Sequence, residues 1–248
     1  MIIPSQALKI RLAKYIATSS ILSRRQAEKA IEQKRVTVNK TLVSHMTCFV
    51  SSHDQVHLDG ILLQSPERPR LWKCYKPRGC LVTRVDPFQR STIYTVLNAP
   101  LPKTQRFLYV GRLDFDSEGL LLMTNTPILA HNLENPQYGW ERYYRIEMQG
   151  IVPWTLCKLL NNPITYKGIR YPGCQIQDYV TTSYSTWITI ILKEGKKREI
   201  RNRVQALGVK ILRLIRTQFA TIMLGTLQPK FWQEVPKHYW PALLLRNM

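Results

Sequence analysis

Short apolar runs, each about the length of one strand, recur after residue 70 and most restrict what this chain can fold into. They are Leu71 to Tyr75, Phe107 to Val110, Leu120 to Met123, Tyr143 to Met148 and Thr186 to Leu192. Helical candidates lie between them, around Ile128 to Leu133, Pro153 to Leu160 and Glu199 to Leu207. The absence of a glycine-rich phosphate loop and of a long strand-helix alternation argues against a doubly wound nucleotide-binding fold. The pattern predicts an α+β protein with a mixed, largely antiparallel sheet flanked by helices.

A different pattern precedes residue 64. Apolar side chains recur at helical spacing at Leu8, Leu12, Tyr15 and Ile16. Ser23 followed by Gln26 has the spacing of a capping box that begins a second helix. Residues 35–43 and 56–60 alternate like strands, with a turn at Asn39-Lys40. We predict a small α+β module over residues 1–63, a linker over 64–70, where two prolines stand without an apolar residue, and a larger domain over 71–248.

The charge of the chain points to a polyanionic partner. There are 36 Lys and Arg against 16 Asp and Glu, a net charge of +20, and such an excess attracts nucleic acid or anionic membrane. No apolar run approaches the roughly 20 residues of a spanning helix, and residues 1–11 lack the apolar core of a signal peptide. A DNA-binding regulator would need a recognition helix and dimerising heptads, and neither is visible. The charge itself leaves RNA and DNA open and makes membrane the weakest candidate. We expect a cytoplasmic location and no membrane partner, and the family resemblance described below implies RNA and no DNA.

The cysteines and histidines do not have metal-ligand spacing. Five cysteines are an odd number, and no two have the two-residue separation of a zinc knuckle or redox pair. His53 and His57 are the one histidine pair at helical spacing, but their segment has the pattern of a turn and strand. We expect reduced, mostly buried thiols, no metal and no cofactor.

Residues 111–125 place a carboxylate, Asp114, beside Arg112 and between apolar segments. Asp114 is either a turn residue or a nucleophile in a dry pocket, and the local sequence leaves both open. A calcium loop is disfavoured because Asn125 stands where the bidentate Glu should be. A glycosidase, which needs two carboxyl groups across a sugar, fits a basic chain poorly. A polar turn leading into the apolar strand is compatible with either role and would hold Asp114 at a strand end.

This stretch resembles the signature of the pseudouridine synthases of the RsuA/RluB group, in which the Asp of Gly-Arg-Leu-Asp is the catalytic residue. Three other blocks resemble the same family and occur in its order: Tyr75-Lys76-Pro77-Arg78-Gly79, Glu141 to Ile146, and Lys193 to Arg216. One departure is Thr126-Pro127, where relatives usually carry Asp-Gly, and it affects only that turn. With the N-terminal module, the resemblance covers residues 6 to about 235.

The resemblance implies a role for each matched residue. Asp114 would be catalytic, Tyr144 would stack on the target uracil, and Arg201 would pair with the catalytic carboxylate through its planar fork. Substrate-binding roles are implied for four residues: Arg112, which would fill the vacated stack, Arg142 at the family's basic position, and Leu212 or Leu214 in the pocket wall. Contacts with RNA phosphates are expected from Lys76, Arg78, Arg84, Arg90, Lys196, Lys197 and Arg198.

The N-terminal module resembles the S4 RNA-binding domain over residues 6–62, in the runs at residues 11–17, 23–28 and 36–39. Arg24 and Arg25 fall in the first turn of the second predicted helix, where cations oppose the helix macrodipole. Arg25 and Lys29 share a face of that helix. Either phosphate contact or a merely solvated basic face accounts for these charges. The resemblance implies RNA contacts by Arg11, Arg24, Arg25 and Lys29.

The activity implied by the resemblance is site-specific conversion of uridine to pseudouridine in ribosomal RNA, with the target base flipped out of its stack. Residues 72–97 look closer to the large-subunit enzymes of the family, and we expect a monomer. The alternative is an RNA-binding ribosome-assembly factor with the same fold and no turnover. The joint presence of Asp114, Tyr144 and Arg201 counts against that alternative.

Overall fold

The computed structural model describes residues 9–20, 22–64, 68–99, 101, 107–242 and 244. Contacts divide the chain into two units, one mainly of residues before 70 and the other mainly of residues from 70 onward. Leu8 and part of the predicted linker 64–70 lie outside the described residues, and the predicted domain boundaries stay a prediction. Among the described residues, no helix has the length and apolar character required to cross a membrane.

The described part of the first unit contains two helices and six short strands. In chain order they are β1 (Ile10–Arg11), α1 (Leu12–Ser19), α2 (Arg24–Glu32), β2 (Val36–Val38), β3 (Thr41–Leu42), β4 (Phe49–Val50), β5 (Val56–Leu58) and β6 (Ile61–Leu62). Four strands form a sheet in the order β3-β2-β5-β6, and β1 pairs with β4. The helices and strands share a core that includes Leu12, Ile16, Ile31, Val36 and Val56. The predicted small α+β module is confirmed in its element types.

Local sequence signals determine where the second helix and the first hairpin begin. The Ser23 hydroxyl accepts a hydrogen bond from the Gln26 backbone N–H at 3.2 Å, and the Gln26 side chain accepts one from the Ser23 N–H at 2.8 Å. This is the predicted capping box, and α2 begins at the next residue. Asn39 and Lys40 both have positive φ, as a two-residue hairpin turn requires.

The second unit is built on one large sheet. Its helices and strands are β7 (Leu71–Lys76), α3 (Ile93–Val96), β8 (Leu108–Val110), β9 (Glu118–Thr124), α4 (Pro127–Glu134), β10 (Arg142–Gln149), α5 (Trp154–Cys157), β11 (Ile164–Tyr166), β12 (Ile169–Tyr171), β13 (Gln175–Thr181), β14 (Ser185–Leu192), α6 (Glu199–Ala206), β15 (Ile211–Phe219), β16 (Ile222–Met223) and β17 (Trp232–Glu234). The sheet has the order β13-β14-β10-β15-β9-β7-β17, with β8 paired to β9 and β16 to β15. The β9–β15 pair is parallel, and the other described pairs are antiparallel. The predicted mixed, largely antiparallel sheet is confirmed.

Strand β9 is buried on both faces, which explains its run of four large apolar residues. Leu120 and Leu122 belong to a core that includes Leu129 and Leu133 of α4. Gly119, the second residue of β9, has φ +104°. A Cβ at this position would lie 2.4 Å from the Arg216 carbonyl oxygen. Only glycine permits this approach of β9 to β15. The approach fixes where the segment from Gly111 to Ser117 enters the sheet.

The described cysteines are free thiols, four buried and Cys48 partly exposed, as predicted. The hairpin β11–β12 and the edge strand β13 were not anticipated. Their residues are mostly exposed, so they lack the apolar runs that marked the other strands.

Candidate active site

The segment that carries Asp114 is held by its backbone. Four consecutive carbonyl groups, from Asp114 to Ser117, all accept hydrogen bonds. The Asp114 carbonyl accepts the Ser117 N–H at 3.1 Å, and the Phe115 carbonyl accepts the Gly79 N–H at 2.9 Å. Side chains from β7 and α6 hold the other two carbonyls. The loop is therefore fixed by elements that are remote in the sequence, which gives Asp114 a defined position.

Lys76 is one of these side chains. It is fully buried, and its ammonium donates to the carbonyls of Ser117 at 2.8 Å, Pro77 at 3.0 Å and Phe115 at 3.4 Å. Burial lowers the pKa of Lys76, while Asp114 and Asp116 are among the groups that oppose this shift. The prediction that Lys76 contacts RNA phosphate is wrong for this structure, because an ammonium enclosed by three carbonyls has no exposed donor.

Arg201 is the second such side chain. Its Nη2 donates to the Asp116 carbonyl at 2.9 Å and to the Ser117 hydroxyl at 3.4 Å. Among the described residues, no salt bridge joins Arg201 to Asp114, so the expected bidentate pair is not formed. Burial lowers the pKa of the Arg201 guanidinium, and the charges of Asp116 and Asp114 oppose that shift. Arg201 thus lies close enough to act on the Asp114 carboxylate electrostatically, while its direct contacts are with the loop backbone.

The Asp114 carboxylate itself has no hydrogen bond or ion pair within the described part of the chain. Together with Tyr144, Leu214, Ile200 and Arg201, Asp114 lines a cavity of about 700 Å³, within the size range of small-molecule sites. Tyr144 lies on β10 and is 9% exposed. A free carboxylate beside an aromatic ring can meet a flat ligand that enters this cavity.

The structure distinguishes the two leucines that the resemblance left open. Leu214 is buried and lines the cavity, whereas Leu212 does not. The register of β10 and β15 shifts between the pairs Glu147–Arg213 and Met148–Ile211, which leaves Leu212 in a β-bulge. A bulge interrupts the alternation of side chains along a strand, so the prediction is retained for Leu214 and corrected for Leu212.

Cations surround the cavity on the α6 side. Arg112, Lys196, Lys197 and Arg198 all line it and are exposed. Glu199, which is buried, holds this segment: it accepts the Lys196 N–H at 3.0 Å and forms a buried ion pair with Arg203 at 2.9 Å. In this basic rim, Lys196, Lys197 and Arg198 were predicted to contact RNA and Arg112 to bind the substrate, and both roles stay predictions.

The other predicted RNA-contacting cations of this unit have partners of their own. Arg78 is exposed and donates to the Leu212 carbonyl at 3.1 Å, and the Arg84 guanidinium lies 5.6 Å from the Tyr94 ring centre. Arg90 pairs with Asp86 at 2.7 Å, and its side chain lines the cavity. All three side chains are exposed, and each also makes a contact within the protein.

Arg142 is placed differently from the other substrate-binding candidates. It donates to the Lys193 carbonyl at 2.8 Å and lies 5.0 Å from the Phe219 ring centre. It lines a second cavity of about 480 Å³, whose wall also includes Arg112 and Tyr144. Burial lowers the pKa of Arg142, and Tyr144 opposes that shift. Arg142 therefore lies near Tyr144 in the second cavity and does not line the cavity that contains Asp114.

Sequence reasoning missed a polar network at the start of β9. The buried Glu118 carboxylate accepts Arg213 Nε at 2.9 Å, Arg213 Nη2 at 3.1 Å and the Tyr75 hydroxyl at 2.9 Å. This one carboxylate joins β7, β9 and β15 four residues after Asp114. Burial and the Glu118 partner raise the pKa of Tyr75 to about 12. One sequence feature could have indicated this network: Glu118 stands immediately before Gly119, the glycine that the close approach of β9 to β15 requires.

The predicted RNA-contacting residues of the first unit lie on its surface. Arg11, Arg24, Arg25 and Lys29 are exposed, and Arg24 forms an ion pair with Glu28 at 3.3 Å. Their RNA contacts stay a prediction. In the described chain, no group of three or more His, Cys, Asp or Glu residues is placed to hold a metal ion.

Comparisons with known proteins agree on one family. The profile of the RNA pseudouridylate synthase family matches residues 70–206, and that of the S4 domain matches residues 10–45. An uncharacterised RNA pseudouridine synthase of Rickettsia typhi is 36% identical over 225 residues, covering 91% of each chain. Ribosomal large subunit pseudouridine synthase B of Bacillus subtilis is 30% identical, covering 92% of this chain and 93% of its own. A crystal structure of a pseudouridylate synthase superposes with a TM-score of 0.62 at 25% identity, covering 92% of this chain and 97% of its own.

Proposed function

Because this chain belongs to the RNA pseudouridylate synthase family, we propose that it converts a specific uridine of large-subunit ribosomal RNA to pseudouridine, with Asp114 as the catalytic residue. The relatives named for the large ribosomal subunit support the choice of substrate. The proposal includes action as a monomer in the cytoplasm.

The observation that most supports the proposal is that Asp114 has a free carboxylate on a fixed loop. Its carboxylate is free, while the four carbonyls around it are all held and a basic rim leads to its cavity. Enzymes that change a base take it out of the stack, and the cations of the rim attract the phosphates of an RNA strand to this cavity. Tyr144 then provides a face on which the uracil stacks.

In the proposed reaction, the bond from C1′ of the ribose to N1 of uracil breaks at the Asp114 step. The uracil rotates within the cavity and is joined to C1′ through C5. The proton that C5 carried is released and N1, now free of the ribose, takes up a proton, so the product is an isomer of the substrate. Arg201 contributes by holding the loop carbonyl at Asp116 and by its positive charge beside the carboxylate. Arg112 fills the position that the uridine leaves in the stack.

Two measurements test the proposal. Pseudouridines are mapped in ribosomal RNA from cells with and without the gene, and one position of the large-subunit RNA should lose its modification. A transcript containing that position and 5-tritiated uridine should then release tritium with the purified protein. Asp114→Asn should bind the transcript with an unchanged Kd and release tritium only at a residual single-turnover rate. Substantial release by Asp114→Asn would show that another group is the catalyst.

A further inference from the structure

The segment from Leu81 to Ser91, which we call the arm, carries an exposed aromatic side chain. Phe88 is 78% exposed, the highest value among the large apolar side chains that the structure describes, and Val85 in the same arm is 77% exposed. One exposed apolar residue is ordinary on a protein surface. The position and the support of Phe88 distinguish it.

Hydrogen bonds within the arm fix its shape. At the base, the Leu81 N–H donates to the Ser91 carbonyl at 2.9 Å, and at the tip the Gln89 N–H donates to the Asp86 carbonyl at 3.1 Å. The Asp86 side chain accepts the Arg90 N–H and Nε at 3.0 Å each and Nη2 at 2.7 Å. These bonds order the turn without burying Phe88, so the backbone that carries the exposed ring loses little further freedom when the ring binds a partner.

The arm also forms one wall of the Asp114 cavity. Val82, Thr83, Val85, Pro87 and Arg90 line it, and the basic residues that precede α6 line it too. Phe88 follows Pro87 directly, and the Arg90 guanidinium lies 5.2 Å from its ring centre. Phe88 itself does not line the cavity, but it lies in the chain between two residues that do, Pro87 and Arg90, and its ring is close to a guanidinium.

We infer that Phe88 stacks on a base of the substrate RNA that neighbours the target uridine, an inference that rests on the proposed function. Every base has a π face, and stacking on an aromatic side chain does not require a particular base. The cationic surroundings favour RNA over an apolar peptide or a neutral surface as the occupant. Stacking at Phe88 would hold the RNA strand on one side of the position that the flipped uridine has left, while the uridine occupies the cavity.

The test uses a synthetic RNA carrying the mapped uridine, with 2-aminopurine at the positions on either side of it. The wild-type protein and Phe88→Trp should quench the fluorescence of one probe on binding. Phe88→Ala should not quench it and should lose about 5- to 100-fold in kcat/KM for tritium release. Because Phe88 is exposed, all variants should melt at the wild-type temperature.

Tyr184→Ala is the matched control. Tyr184 is 76% exposed in the turn between β13 and β14, away from the cavity, and its removal should change neither quenching nor rate. Unchanged quenching and rate in Phe88→Ala would overturn the inference, as would an equal loss in Tyr184→Ala. A wild-type protein that binds and quenches without releasing tritium would leave Phe88 stacking supported and contradict the proposed function instead.

Discussion

The ammonium of Lys76 donates a hydrogen bond of 2.8 Å to the backbone carbonyl of Ser117, three residues after Asp114. A lysine expected to contact RNA is instead buried beneath the loop that carries the proposed catalytic carboxylate. The positive charge therefore contributes to the site through the backbone it orders. Its removal leaves the Ser117 carbonyl without this donor, which costs about 1 to 3 kcal/mol for a buried group.

Lys76→Met should lower both the stability and the rate of the enzyme. We expect a fall in kcat of at least about tenfold at temperatures where the variant is folded, because the Asp114 loop loses its support. Tritium release in single turnover, normalised to the folded fraction from circular dichroism, measures this. Lys73→Met is the control, since Lys73 also donates to carbonyls, at Met223 and Leu224, but not to the loop. An equal rate in the two variants would contradict the proposed role.

Arg201→Ala should be nearly inactive while its Kd for RNA changes little. Arg201→Lys should recover only part of the rate, because the shape of a lysine does not place its ammonium where the guanidinium Nη2 contacts Asp116 and Ser117. Since residues that act as a unit are not additive, Arg201→Ala combined with Asp114→Asn should be scarcely slower than Asp114→Asn. Single-turnover rates of all four proteins decide this. Additive losses would mean that the two residues act independently.

Tyr144→Phe should keep its affinity for RNA and lose much of the rate, whereas Tyr144→Ala should also lose base capture. The phenyl ring retains the stacking face and lacks only the hydroxyl. Stopped-flow fluorescence of a labelled RNA separates binding from chemistry. The neighbouring Tyr143→Phe, which loses a hydrogen bond to Glu141, is the control and should react normally. A wild-type rate in Tyr144→Phe would restrict Tyr144 to a stacking platform.

Tyr75 should make unfolding stability depend on alkaline pH. In the unfolded chain a tyrosine titrates near pH 10, whereas the pKa of folded Tyr75 is raised to about 12. Its contribution is therefore fully present below about pH 10 and is lost between about pH 10 and 12. The difference in free energy of unfolding between wild type and Tyr75→Phe should be constant below that window and shrink within it. Urea titrations across the range measure this, and a constant difference up to pH 12 would be contrary to it.

The double variant Arg25→Ala, Lys29→Ala should weaken RNA binding and flatten its salt dependence. Each phosphate contact that is lost lowers the slope of log K against log salt by roughly 0.7 to 0.9. Filter binding at several salt concentrations gives the slope. Arg35→Ala is the control, because Arg35 forms a bidentate pair with Asp59 and its removal should not change the slope as strongly. An unchanged slope in the double variant would exclude phosphate contact by these two residues.

The sequence by itself determined the helices and strands whose signals are local. Ser23 and Gln26 cap α2 because their partners are three residues apart, and the run from Leu120 to Met123 becomes a buried strand because both of its faces must leave water. The matched motifs also gave Asp114 and Tyr144 as candidate residues, and the structure brings them to one cavity.

Only the tertiary structure decided the partners of the charged side chains. Lys76 meets a carbonyl 41 residues away, Arg201 one 85 residues away, and Glu118 an arginine 95 residues away. Such distances depend on the register of β7, β9 and β15. In the pairing of β15 with β10, one of two register shifts leaves Leu212 in a bulge, and Leu214 lines the cavity. A lysine or arginine that is solvated in the unfolded chain becomes a structural residue only when the sheet places several carbonyls around it, and no local pattern contains that information.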